Sequence, residues 1–146
     1  MAIIRKSVKI NASAGKVFKV VTDPGNWTRY VTSLMAVTHL SKDAPGTGST
    51  FRWEYKMMGV RFSGKGEVTE NVRNRRFGLM LKGKATITEG YDFIPNEDGT
   101  TTLQINIEHD LPSALLNRMM DNALIRKLNN IESGHVLKKI KVMCEA

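Results

Sequence analysis

From Phe51 to His109 the chain keeps one pattern, apolar or small residues at every second position with polar ones between, and beyond Pro112 and Ser113 the period changes. In FRWEYKM, Phe51, Trp53, Tyr55 and Met57 share one side while Arg52, Glu54 and Lys56 share the other, as in a strand with one dry face and one wet face. Val60, Phe62, Gly64, Gly66 and Val68 continue the dry face after a turn at Met58-Gly59, and Phe77, Leu79 and Leu81 follow a turn at 71–74. Ala85, Ile87, Glu89, Tyr91 and Phe93 then lead into the polar turn 95–99, and Leu103, Ile105, Ile107 and His109 end the run. A sheet with one apolar face needs a cover. The terminal segment supplies it: Leu116, Met119, Met120, Ala123, Leu124, Leu128 and Ile131 recur at helical spacing, and a rotated stripe continues through Leu137, Ile140 and Cys144 past Gly134. Gly134 marks a bend or close backbone contact, or is simply a tolerated helical glycine.

Upstream, Ile4, Val8 and Ile10 alternate and predict a first strand ending at Asn11. Asn11 or Ser13 can cap a short helix carrying Val17, Phe18, Val20 and Val21, and Asp23-Pro24 closes it and opens a second around Trp27 and Tyr30. A less regular strand, 34–40, and a loop, 41–48, precede Phe51. The expectation is an α+β chain with two short helices between strands one and two and a long helix at the end. At 146 residues it fits one domain, 1–146, burying roughly 70% of the surface of its unfolded form without disulfides or metal. The lone Cys144 cannot pair within the chain, and no stretch nears the ~18 apolar residues of a membrane span. The opening MAIIRKSVKI, broken by Arg5 and Lys6, is unlike a secretory signal, so a cytoplasmic protein is expected.

The net charge of +8 admits anionic partners. Basic residues are nevertheless spread along the chain, concentrating only at 73–76 and at Lys138, Lys139 and Lys141, without interleaved aromatics, a helix-turn-helix or zinc-ligand spacing. This disfavours nucleic acid and leaves a weak contact with an anionic membrane, or an adaptor role through the basic surface, as the charge-driven readings. Gly59 to Lys65 resembles half of a phosphate loop, but Gly66 stands where Ser or Thr is required and the segment reads as a strand. Its glycines relieve crowding on the inner face instead. His39 and His135 are scattered and Cys144 has no activating base nearby in sequence; neither a metal site nor a cofactor is expected.

Two titratable residues, Glu89 and His109, fall on the dry face. A buried carboxylate has a raised pKa, which suits a general acid or base near neutrality, so both are candidate catalytic groups. Pairing about the turn sets Glu89 opposite Ile105 or Leu103, too far from His109 for a direct hydrogen bond. The competing readings are a bulge that turns Glu89 outward, or an anchoring contact to the Tyr55 hydroxyl. The dry faces of Phe51, Trp53, Tyr55, Phe62, Leu79, Glu89, Tyr91, Ile105, Met120 and Leu124 offer more apolar wall than one helix stripe fills. A ligand pocket of several hundred Å³ between sheet and helix is expected.

The segments IIRKSVKINASAGKVFKVVTDPGNWTRYV and GTGSTFRWEY, followed by the long closing helix, resemble the polyketide cyclase/dehydrase and lipid-transport branch of the START-like superfamily. The resemblance implies a helix-grip fold: a seven-stranded antiparallel sheet curved around the C-terminal helix, enclosing a cavity for a lipid, sterol, quinone, polyketide or aromatic compound. Members of that branch range from carriers to cyclases and share no single catalytic set. The expected function is therefore binding or transport of a hydrophobic small molecule, with a cyclase or dehydratase using Glu89 and His109 as the alternative.

Overall fold

The computed structural model describes residues 2–57, 59–83, 86–110 and 122–146, and their side chains except at 2, 3, 57, 109, 110 and 122–131. Strand β1 (Ala2–Ile10) is followed by helices α1 (Ala14–Thr22) and α2 (Pro24–Tyr30). Six strands then run in chain order, β2 (Leu34–Thr38), β3 (Thr50–Met57), β4 (Val60–Val72), β5 (Arg76–Lys82), β6 (Thr86–Pro95) and β7 (Thr101–Asp110), before α3 (Asn122–Glu145). They form one antiparallel sheet in the order β1-β7-β6-β5-β4-β3-β2. Every neighbouring pair except β1-β7 is consecutive in sequence, so the sheet from β2 to β7 is a simple meander. This is the expected helix-grip architecture, with two short helices between β1 and β2 and the sheet wrapped around the C-terminal helix.

Local chemistry sets the two short helices. Ser13 caps α1 by accepting a hydrogen bond from the Lys16 amide at 3.2 Å. Asp23 ends α1 and caps α2, accepting from the Gly25 amide at 3.0 Å with Pro24 in the first turn. A helix leaves its last carbonyls unpaired. Here α2 answers that need, since Trp27 Nε1 and Tyr30 Oη both donate to the Val21 carbonyl, at 3.0 and 2.8 Å. The aromatic side chains thereby lock α2 across the end of α1.

Alternation holds through the sheet. Phe51 and Trp53 are buried while Arg52, Glu54 and Lys56 are exposed, and Val68, Phe77, Leu79, Leu81, Tyr91, Phe93, Leu103 and Ile105 join the same core. Among the described side chains of α3 the buried positions are Ser133, Val136, Leu137, Ile140 and Cys144, matching the rotated stripe read from the sequence, and the helix packs on β1, β7, α1 and α2. The earlier stripe from Leu116 to Ile131 lies outside the described side chains. At Gly134 a methyl group would meet only Lys6 Nζ, at an ordinary 3.5 Å, so the helix tolerates this glycine without a close backbone contact.

The glycines of β4 occupy crowded positions. Gly66 pairs with Phe51, and a methyl group there would lie inside contact distance of the Phe51 ring; at Gly64 it would strike the Lys82 carbonyl. The half-motif of a phosphate loop is thus ordinary strand, spared side chains where an aromatic ring and a neighbouring strand press in. Gly66→Ala is expected to cost about 1–3 kcal/mol by overpacking. Its denaturant midpoint should fall with an unchanged slope, and a variant as stable as the parent would show that Phe51 has room to move.

Candidate functional site

Between α2, the start of β2 and the dry faces of β3, β5 and β6 lies a partly open crevice lined by Trp27, Tyr30, Val31, Leu34, Phe51, Trp53, Tyr55, Leu79, Leu81, Glu89 and Tyr91. Its volume is about 20 Å³, room for one water-sized group. The larger pocket expected from sequence takes Met120 and Leu124 as walls, and both side chains lie outside the described residues.

Aromatic rings build most of the wall. Trp27, 2% exposed, sits 5.0 Å from Phe51 and 6.1 Å from Phe77 between ring centroids. It is a packing residue of α2 and a wall of the crevice at once. Trp53 is buried and its indole donates to the Lys65 carbonyl at 3.0 Å. Tyr30 Oη donates to the Val21 carbonyl, and the Tyr91 phenol lies near enough to couple with it electrostatically. Burial, with the charge of Glu89 nearby, holds both phenols well above the usual range.

Glu89 is the one carboxylate on the crevice wall among the described residues. Strand β6 keeps unbroken register with both neighbours, so no bulge turns Glu89 outward. The residue is half-buried, open only toward the crevice, and removal of its carboxyl from water, reinforced by the charge of Glu132, pushes its pKa up to about 7. Glu132, from α3, lies near enough for its charge to act on Glu89 without lining the crevice. Its Oε2 accepts a hydrogen bond from Tyr55 Oη at 2.7 Å, while its Oε1 is buried without a partner. Burial and this carboxylate raise the Tyr55 phenol far above its ordinary range.

The structure thus brings Phe51, Trp53, Tyr55, Leu79, Glu89 and Tyr91 together on one crevice. Phe62 is half-buried against the core and Ile105 is buried opposite Tyr91; neither lines the crevice. The expected pairing of Glu89 with Ile105 or Leu103 is corrected: Glu89 faces Ile107, because the residues between Pro95 and Thr101 form a longer turn. His109 lies opposite Ile87, and its side chain is outside the described residues. The anchoring role considered between Glu89 and Tyr55 falls to Glu132 instead. Neither Tyr30 on the crevice wall nor Glu132 behind Tyr55 stands out in the sequence as a site residue, since each is brought there only through the packing of its helix. Burial pushes the Cys144 thiol up to about 11, which leaves it protonated and unreactive near neutrality. Among the described residues no three His, Cys, Asp or Glu side chains gather as metal ligands, and no helix is long and apolar enough to cross a membrane.

Residues 1–141 match the family described as polyketide cyclase/dehydrase and lipid transport. The chain belongs to that family. Solved structures agree on the fold of this polyketide cyclase/dehydrase relative. A protein from Thermus thermophilus superposes with a TM-score of 0.82 at 16% identity, covering 98% of this chain and 97% of its own. A START superfamily protein from Mycobacterium smegmatis gives 0.75 at 18% identity, covering 98% and 97%. The di-domain ARO/CYC StfQ of the steffimycin biosynthetic pathway gives 0.77 at 10% identity, and the match covers 98% of this chain and 50% of StfQ. No curated protein matches the family member by sequence.

Proposed function

We propose that this protein, as a single domain over 1–146, binds or carries a hydrophobic small molecule in a cavity between sheet and C-terminal helix, with the crevice beside α2 at its polar end. The ligand class is a lipid, sterol, quinone, polyketide or aromatic compound. The observation that carries this reading is an aromatic-walled crevice into which one carboxylate opens at the expense of its own solvation. Such a wall binds by area and its few polar groups orient the guest. Family membership supports the same reading, and the buried, unpaired Cys144 fits a cytoplasmic setting. Mass spectrometry of an organic extract of the purified protein, with titrations against lipids, sterols, quinones and flavonoid-like compounds, tests it. Saturable binding to at least one class is expected, with a change in tryptophan fluorescence from Trp27 or Trp53; no saturable binding across the panel overturns it.

A second reading is favoured by one observation. A carboxyl with a pKa of about 7 can give or take a proton at neutrality, and the similarity to an ARO/CYC protein supports a cyclase or dehydratase reaction with Glu89 as its acid or base. Should an activity be found, Glu89→Gln is expected to abolish turnover and leave affinity for an uncharged substrate within a few-fold. Retained turnover removes Glu89 from the chemistry.

The basic surface supports a delivery step for a carried ligand. Arg29, His135, Lys138 and Lys139 line a groove of about 590 Å³ with Met143 and Val142, the latter 67% exposed. Cations around an exposed apolar side chain suit a weak, reversible contact with an anionic membrane. Reversing both lysines, Lys138→Glu with Lys139→Glu, should weaken sedimentation with phosphatidylglycerol vesicles on the order of tenfold. Equal binding by the double variant would leave this groove without that role.

A further inference from the structure

The crevice wall carries five side chains able to donate a hydrogen bond, and four of them are committed within the protein. Trp27 and Tyr30 donate to the Val21 carbonyl, Trp53 to the Lys65 carbonyl, and Tyr55 to Glu132 Oε2. The acceptors are in surplus. Among the described residues, Glu132 Oε1 is buried with no partner, and Glu89, which lines the crevice, has no hydrogen bond. No lysine, arginine or histidine lines this crevice among the described residues. A buried acceptor without a donor is a standing cost, and an ionised carboxylate can only accept.

We propose that Glu89, with Glu132 behind it, forms the polar end of the binding site and receives a hydrogen-bond donor, a hydroxyl or a protonated amine, at one end of an aromatic ligand. This rests on the reading of the crevice as a ligand site and narrows its guest. The space of about 20 Å³ beside Glu89 matches one such head group. The surrounding rings of Trp27, Phe51 and Trp53 favour an aromatic body, and their faces add attraction for an ammonium. A carboxylate head meets the like charge of Glu89 and no cationic side chain among the described residues, so fatty acids and other anionic guests are selected against.

A matched series separates the possibilities: naphthylmethylamine, naphthylmethanol, methylnaphthalene and naphthoate, titrated by calorimetry at about pH 8 so that Glu89 is ionised. The amine and the alcohol should bind at least about tenfold more tightly than the hydrocarbon, and naphthoate at least about tenfold more weakly than the alcohol. In Glu132→Gln and in Glu89→Gln, each confirmed folded by its melting curve, the advantage of the amine over methylnaphthalene should shrink about tenfold while methylnaphthalene binds as before. Equal affinity for all four compounds, or tighter binding of naphthoate, overturns the donor-seeking site and leaves hydrophobic binding standing. Absence of binding by all four, beside a silent wider panel, overturns both. The wild-type series alone decides the matter should either variant fail to fold.

Discussion

Ile140→Asp is expected to destabilise the protein by about 3–5 kcal/mol, a large share of the roughly 5–15 kcal/mol that holds a domain of this size together. Ile140 is 0% exposed on α3, within the core that also contains Val136, Leu137 and Cys144, so an aspartate there has neither water nor a partner. One position earlier, Lys139 points to solvent. Lys139→Asp should stay within about 0.5 kcal/mol of the parent. The two substitutions introduce the same residue at adjacent positions of the same helix and differ chiefly in the face they occupy. Equal melting temperatures would mean that α3 does not cover the sheet as described.

The second large effect depends on pH. Glu89 titrates at about 7 in the folded protein against an ordinary 4.5, chiefly because its carboxyl is desolvated and secondarily because Glu132 faces it. The folded state therefore holds more protons than the unfolded state between those two values, and stability falls as pH rises through that window. Above neutrality the full penalty applies, about 3 kcal/mol at 1.36 kcal/mol per pKa unit. Glu89→Gln should abolish this dependence. Urea unfolding at about pH 5 and pH 8.5 measures it: the parent should lose stability over that interval relative to the variant, and the variant should be relatively most favoured at the higher pH. Parallel behaviour of the two proteins would place the Glu89 carboxyl in water. The groups facing it are Glu132 from α3, Tyr30 from α2, Tyr55 from β3 and Tyr91 on its own strand, and the phenols stay protonated throughout this range.

The same carboxylate links stability to recognition. A cationic guest that pairs with Glu89 restores part of what desolvation costs, so such a ligand should raise the melting temperature more above neutrality than below it. A purely apolar guest should raise it equally at both. The polar end of the crevice is thus a destabilising feature of the empty protein, retained where a hydrogen-bond donor would make use of it.

The strands, their inward faces and the caps of the short helices could be read directly because each depends on neighbours in sequence. Phe51 and Trp53 are buried beside exposed Arg52 and Glu54 since a strand alternates every residue, and Ser13 and Asp23 cap because their oxygens lie within reach of the next turn. Glu89 could be assigned to the dry face for the same reason, and the error in its cross-strand partner did no harm. A shift of register by two residues changes the partner and preserves the face. The meeting of Tyr55 with Glu132 was beyond that logic: 77 residues separate them, and neither periodicity nor spacing carries the angle at which a helix crosses a curved sheet. By its sequence this chain determined that a carboxylate would face an apolar layer. Only the tertiary structure decided that a second carboxylate from α3 stands nearby with an oxygen left unpaired, because that contact is set by how the layers pack, and packing is a property of surfaces rather than of order along the chain.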